Sequence, residues 1–284
     1  MAVFLAGGPI NWLPDNFSSY GGEIDSLFWL ITAICAVTFF ATEGLLIYSL
    51  VKFRRKKGDR AQFTHGSHKL EISWTLVTGA ILFFLALYQY KAWAHVKIDM
   101  PSETDPDVVL VQVLAKQFEW NFRYMDLETG RFATDVKSPF STGELHVPVG
   151  KRILFKMRSL DVLHSLFLPH FRFKQDLIPG LTIRGWFKPE KTTAEAREQV
   201  GDEEFEFEIA CAELCGILHH EMKGKVVVHT DADFEKWLQS RTEAYAQGQR
   251  QPEIWERWDE ASWTESKSYA KDKGHHGEEN VPHE

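Results

Sequence analysis

Hydrophobic and polar positions fall into three regimes along the chain. Two long apolar runs come first, SLFWLITAICAVTFFATEGLLIYSLV from Ser26 to Val51 and ISWTLVTGAILFFLALYQY from Ile72 to Tyr90. Each is long enough to cross a hydrocarbon layer of about 30 Å as a helix. Trp29, Tyr48, Trp74, Tyr88 and Tyr90 lie towards the run ends, where aromatic rings favour the membrane boundary. From Asp107 the period changes to two. VVLVQVLA, FEWNFRYM, LTIRGWF, EFEFEIA and KVVVHT predict strands, as does the segment after the turn Pro148 to Lys151. Leu127 to Gly130 reads as another turn. Many short strands with few helical stretches between them predict a sandwich or barrel. Lys188 to Glu203 is polar and predicts an exposed loop with a short helix. Beyond it, DADFEKWLQSRTEAYA predicts an amphipathic helix with Phe234, Trp237 and Leu238 on one face.

These regimes divide the chain into an outer N-terminal segment, 1–25, a transmembrane helix hairpin, 26–95, a β-domain, 96–232, and a polar C-terminal helix and tail, 233–284. In the tail, Trp255, Trp258 and Trp263 are candidate anchors on another subunit. Charge orients the hairpin. Lys52 to Arg60 holds six basic residues against one acid, which places this short loop in the cytoplasm. Both termini are then expected outside. The first 25 residues hold no lysine or arginine, so they lack the basic start of a cleavable signal. Glu43 falls inside the first run and is expected to face protein, which implies packing against a larger integral subunit. The net charge of −8 argues against a nucleic-acid partner and for a basic protein partner.

Candidate chemistry is concentrated in the run CAELCGILHHEM, which holds Cys211, Cys215, His219 and Met222, with His164 upstream in SLDVLHSLFLPH. Two thiols, two imidazoles and a thioether are soft donors of the kind that select copper. They exceed the four ligands of a tetrahedral zinc site. The two thiolates are suited to bridging two ions, each completed by a histidine, with Met222 and the Glu213 carbonyl as weak ligands. A Cys211–Cys215 disulfide is the competing reading, and a mononuclear site leaves donors over. His220 adjoins His219 and competes for its role. His170 is expected to be structural or at the surface. His65, His68, His95, His146 and His229 have no supporting cluster in the sequence, and His275 and His276 lie in the polar tail. Cys35 sits inside the first apolar run, where an inert thiol is expected. His164 reaches the cysteine loop if the strand ending near Arg158 lies beside the strand ending near Ile209. No Cys-x-x-Cys-His haem-attachment motif occurs in the sequence.

At these residues the chain resembles subunit II of haem-copper cytochrome c oxidases. The family pattern Cys-x-Glu-x-Cys-Gly-x-x-His-x-x-Met is matched by Cys211, Glu213, Cys215, Gly216, His219 and Met222, and Asp-Val-x-His-Ser by Asp161, Val162, His164 and Ser165. LPHFRFKQDLIPG resembles the family's next segment, and the likeness extends over roughly residues 24 to 232. The resemblance implies a membrane-anchored all-β protein, in which a two-helix hairpin is followed by a cupredoxin-like Greek-key β-barrel. That barrel holds binuclear copper A, accepts electrons from cytochrome c or a cytochrome c domain, and passes them to haem in subunit I. Oxygen reduction and proton pumping belong to subunit I. It further implies a bacterial-type inner-membrane location with the copper domain on the periplasmic face. Glu213 is the implied magnesium ligand, in a site shared with subunit I, Glu71 a proton-uptake residue, and Asp161 an acid at the docking face. Phe118 stands where the family has an electron-entry tryptophan, and Trp120 follows two residues later. Thr78 stands where the second span usually has proline. The alternatives are a copper A component of another reductase, such as one reducing nitrous oxide, and a copper chaperone or sensor. A quinol-oxidase subunit II lacks the copper ligands and fits poorly.

Overall fold

A computed structural model describes residues 12–58, 60, 63, 65–125 and 138–246. The chain divides into two compact units, Tyr20–Asp99 and a second made of the segments flanking it. The first unit is a helix pair, α1 (Gly21–Lys52) and α2 (His68–Lys97), and both helices are long and apolar enough to cross a membrane. Ser67 caps α2 by accepting from the Leu70 N–H. Glu23 in the first turn of α1 lies 3.4 Å from His95 in the last turns of α2, so the helices run antiparallel. Thr78 donates to the Trp74 carbonyl at 2.9 Å, and α2 continues unbroken past it. Apolar side chains such as Phe40, Leu46, Phe83 and Leu87 are exposed along both helices, as a lipid or protein environment requires.

Among the described residues, the second unit holds ten strands: β1 (Val108–Lys116), β2 (Glu119–Tyr124), β3 (Phe140–Thr142), β4 (Glu144–Pro148), β5 (Arg152–Ser159), β6 (His164–Leu168), β7 (Phe173–Leu177), β8 (Ile183–Phe187), β9 (Phe207–Cys211) and β10 (Lys223–His229). They form two sheets, ordered β3-β2-β1-β5-β8 and β4-β10-β9-β6-β7. The pairs β1–β5 and β4–β10 are parallel, and the remaining neighbours are antiparallel. Alternation places Phe207 and Ile209 inside and Glu208 outside, with Trp120, Phe122, Phe155, Leu166 and Phe187 among the buried side chains. The result is a cupredoxin-like sandwich and not the closed Greek-key barrel the sequence led us to expect. The reason is visible at Gly143. There the chain leaves the first sheet for the second, with Gly143 N–H bonded to the Trp120 carbonyl and its own carbonyl accepting from Lys225. Its φ of +75° suits glycine. Strand pairing stops at this corner, so the sheets meet edge to edge without one continuous ladder.

Helix α3 (Thr193–Val200) lies in the predicted polar loop and starts with a capping box between Thr192 and Glu195. Helix α4 (Asp231–Ala246) is the amphipathic helix, with Phe234 and Leu238 buried. A strap at Asn16–Ser18 adds a layer the sequence did not announce. Phe17 is 2% exposed, donates its N–H to the His170 carbonyl and accepts from Glu190 N–H, while its ring lies 5.1 Å from that of Phe207. The turn expected at 127–130, the tail tryptophans, and His275 and His276 lie outside the described residues.

Candidate metal centre

Cys211 ends β9 and His164 begins β6, and these two strands pair antiparallel with Leu166 opposite Cys211. The strand that delivers the histidine is therefore β6. The strand ending near Arg158, expected in that role, is β5 and belongs to the other sheet. After Cys211 the chain loops through Cys215, makes a short 3₁₀ turn at His219–Glu221 and passes Met222 just before β10 begins at Lys223. Cys215 and Met222 are buried, and His164 is wholly so.

The donor atoms face one another. Cys211 Sγ lies 3.9 Å from Cys215 Sγ and 3.9 Å from His164 Nδ1. Cys215 Sγ lies 3.6 Å from His219 Nδ1 and 3.8 Å from Met222 Sδ. The Glu213 carbonyl oxygen lies 3.2 Å from Cys211 Sγ. Both cysteines are free thiols, held well beyond the ~2.05 Å of a disulfide. Each separation is shorter than two bonds of about 2.3 Å to a common ion, the length typical of metal–thiolate bonds. The set therefore fits a shared metal. The ligand atoms of His164, Cys211 and Cys215 all lie within 4.8 Å of one another. His219 is the imidazole turned to Cys215, whereas His220 is exposed and lies 3.1 Å from the Glu221 carboxylate.

Partners behind the donors fix their chemistry. Asp161 Oδ1 lies 2.8 Å from His164 Nε2, which assigns that nitrogen the proton and leaves Nδ1 free towards Cys211. Burial opposes a charged His164, but hydrogen bonds to Cys211 and Asp161 outweigh it and raise its pKa. Burial also opposes ionisation of Asp161. Hydrogen bonds from Gln117 N–H, His164 and Val162 N–H outweigh that and hold its pKa below the ordinary value. The two thiols are driven apart. Burial disfavours the Cys211 thiolate, but His164 and the Ser165 backbone more than compensate, and its pKa falls to about 6. Burial, then the charge of Cys211 beside it, raises Cys215 to about 11. The thiolate is thus favoured at Cys211 and disfavoured at Cys215, and a cation binding both sulfurs displaces the proton that Cys215 keeps.

Comparison with known proteins identifies the family. The transmembrane domain of cytochrome C oxidase subunit II matches residues 10–92, and the periplasmic domain of cytochrome C oxidase subunit II matches residues 109–230. The chain belongs to the cytochrome c oxidase subunit II family. Among its relatives, the alternative cytochrome c oxidase subunit 2 of Bradyrhizobium diazoefficiens is 29% identical, over 84% of this chain and 87% of that protein. The cytochrome c oxidase subunit 2 of Thermostichus vulcanus is 28% identical, over 82% and 80% respectively. A crystal structure of the periplasmic domain of subunit II of cytochrome oxidase from Bradyrhizobium japonicum is 26% identical, covers 48% of this chain and 95% of that one, and gives a TM-score of 0.38.

As a subunit II, the chain is part of the cytochrome c oxidase enzyme, within a haem-copper oxidase complex. It crosses the inner membrane twice, with the β-domain facing outward. Of the other residues singled out from the sequence, Trp120 is fully buried, donates its indole N–H to the Met222 carbonyl and has its ring 6.2 Å from His164. Phe118 is half-buried against Gly216. Glu213 is exposed. Glu71 lies in the first turn of α2, in the other unit, 3.4 Å from His68. Sequence reasoning passed over Gln117, whose side chain donates to the Cys215 carbonyl at 2.6 Å. His170 is buried among Phe17, Phe205 and Phe207, as a structural histidine.

Proposed function

We propose that Cys211, Cys215, His164, His219, Met222 and the Glu213 carbonyl together hold binuclear copper A. Through it, cytochrome c or a cytochrome c domain delivers electrons to haem in subunit I. The observation that carries this reading is the continuous chain of soft donors at 3.6 to 3.9 Å, running from His164 through both sulfurs to His219 and Met222. When bound, the copper pair supplies a one-electron relay that needs little rearrangement. The chain's own residues make that possible. Asp161 fixes the His164 tautomer, Met222 and Trp120 close the inner side, and burial of His164 and Cys215 limits water around them.

Around the donors, Val162, Leu163, Leu214, Ile217 and Leu218 are exposed apolar side chains, the last three in the cysteine loop itself. Such a patch supports docking of a protein partner, and Asp161 with Phe118 and Trp120 lies where an incoming electron reaches the centre. Acidic steering of a basic donor is expected to weaken with salt. On the same reading, the exposed Glu213 carboxylate faces a magnesium site shared with subunit I, and Glu71 collects protons at the cytoplasmic mouth of α2.

The deciding measurement is metal content and optical spectrum of the complex extracted in mild detergent. Two coppers per chain at this site, with near-infrared mixed-valence absorption, are expected. One labile copper with no such band sinks the binuclear reading. In the same preparation, Glu213→Gln should lower magnesium with copper intact, and Glu71→Ala should slow oxygen reduction with the copper spectrum unchanged. Normal magnesium or normal turnover removes the corresponding role.

A further inference from the structure

The two halves of the metal centre come from separate segments. His164 stands at the start of β6, and the other imidazole and the thioether lie in the loop from Cys215 to Met222. The Ala212 N–H donates to the Ser165 carbonyl at 3.0 Å, which ties His164's strand to the loop only at its foot, before Cys215. Both segments are bonded to the turn between β1 and β2. Gln117 donates its backbone N–H to Asp161 Oδ2 at 2.7 Å, and the same carboxylate holds His164 Nε2 at 2.8 Å. Its side-chain amide donates to the Cys215 carbonyl at 2.6 Å. Three short hydrogen bonds thus run from His164 through Asp161 and Gln117 to the backbone of Cys215. The same hairpin grips the far end of the loop, where Trp120 donates to the Met222 carbonyl at 3.3 Å.

We propose that Gln117 is a positioning residue that sets the separation between the His164 side and the Cys215 side of the centre. The proposal rests on the copper reading above for its ligands, and on the hydrogen bonds for its geometry. Gln117 touches none of the donor atoms. It is exposed at a turn, so its amide does not serve the core. The loop is also shaped to receive it. Gly216 has a φ of +136°, and a Cβ there would come within 2.8 Å of Gln117 Nε2 and 3.1 Å of the Phe118 ring. A larger residue at 216 would push the amide off its carbonyl. The close approach at Gly216 and the amide contact at Cys215 are two sides of one docking. Oriented hydrogen bonds behind ligands preserve the spacing a metal pair requires, and their loss commonly weakens binding by about 10- to 100-fold.

The test uses the full chain in its complex. Gln117→Leu keeps the bulk and the backbone N–H to Asp161 but removes the amide donor. Copper affinity, measured by competition with a chelator, is expected to fall about tenfold, with a shifted copper spectrum. In the copper-free chain, amide exchange from Gly216 to Met222 is expected to quicken. Gly216→Ala should reproduce both changes from the opposite side of the contact. Unchanged exchange in Gln117→Leu overturns the proposal. So does quicker exchange with copper affinity within about twofold of wild type, because Gln117 would then hold the loop without setting the centre. Absence of copper from the wild-type complex would instead defeat the copper reading, and the exchange measurement would still decide whether Gln117 holds the loop.

Discussion

Strand β10 carries a histidine-containing cluster at each end, separated by its seven residues, about 20 Å of extended chain. At its start, beside Met222, sulfur and nitrogen donors face one another at 3.6 to 3.9 Å, too far apart to satisfy each other strongly. At its end, His229 Nε2 lies 2.8 Å from His146 Nδ1, and His146 Nε2 lies 3.2 Å from Glu144 Oε2. With neutral rings the tautomers follow. His146 donates from Nε2 to the carboxylate and accepts at Nδ1 from His229. Both nitrogens of His146 are then spent, and that ring keeps no lone pair for a metal. Trp237 of α4 stacks on the His146 ring at 4.2 Å and 14°, which seals the pair from above. Proximity of histidines thus does not make a metal site. What distinguishes the first cluster is the mismatch between donors that are close and donors that are satisfied.

The largest expected effect lies at the first end. Cys215→Ser should remove the binuclear copper spectrum and weaken copper binding by more than about 100-fold, beyond what losing an outer partner costs. Metal analysis beside absorption spectroscopy checks this, and retention of both coppers would place the site elsewhere. At the other end, Trp237→Ala should leave copper and its spectrum unchanged. It should loosen α4 by about 1 kcal/mol, the scale of a stacked aromatic pair. Thermal unfolding and proteolysis near residue 231 measure that. If copper also leaves, the two clusters are coupled along β10 and the contrast fails.

The smallest effect is one of pH. Burial, opposed by the Glu144 hydrogen bond, lowers the His146 pKa to about 4, and burial lowers that of His229. Glu144, Arg241 and Asp233 are the charges that act on the pair. The folded pKa values lie below the unfolded value near 6.5, so the unfolded chain binds more protons between these limits. Stability should therefore fall as pH drops from about 6.5 towards about 4. Melting temperature against pH should show this slope, and His146→Phe should flatten it. An equal slope in that variant would assign the effect to other groups.

Why one cluster was legible in the sequence and the other was not follows from chain separation. Cys211, Cys215, His219 and Met222 fall within twelve residues, so their spacing alone announces a shared loop. His146 and His229 are 83 residues apart and meet only because β4 and β10 pair in parallel, with Val227 opposite His146. Period-two alternation marks every strand alike and says nothing about which strands are neighbours. The same ambiguity led to β5 being expected beside β9 in place of β6, and hid Gln117, which lies 98 residues from the carbonyl it holds. The membrane helices, the strands and α4 were readable because each is a local pattern. The open corner at Gly143 was not, because it depends on bonds to both sheets at once.

The strap at Phe17 has a bearing on how the protein is made. Phe17 precedes both helices in the chain yet completes the core of a unit whose strands follow them. The two ends of the hairpin must therefore finish on the same face of the bilayer. A chain that threads only one helix leaves the aromatic pocket around Phe207 unplugged, and on the wrong side of the barrier from its plug. A half-inserted molecule is therefore left with an open apolar pocket, whereas either two-helix insertion returns Phe17 to the side on which Phe207 folds.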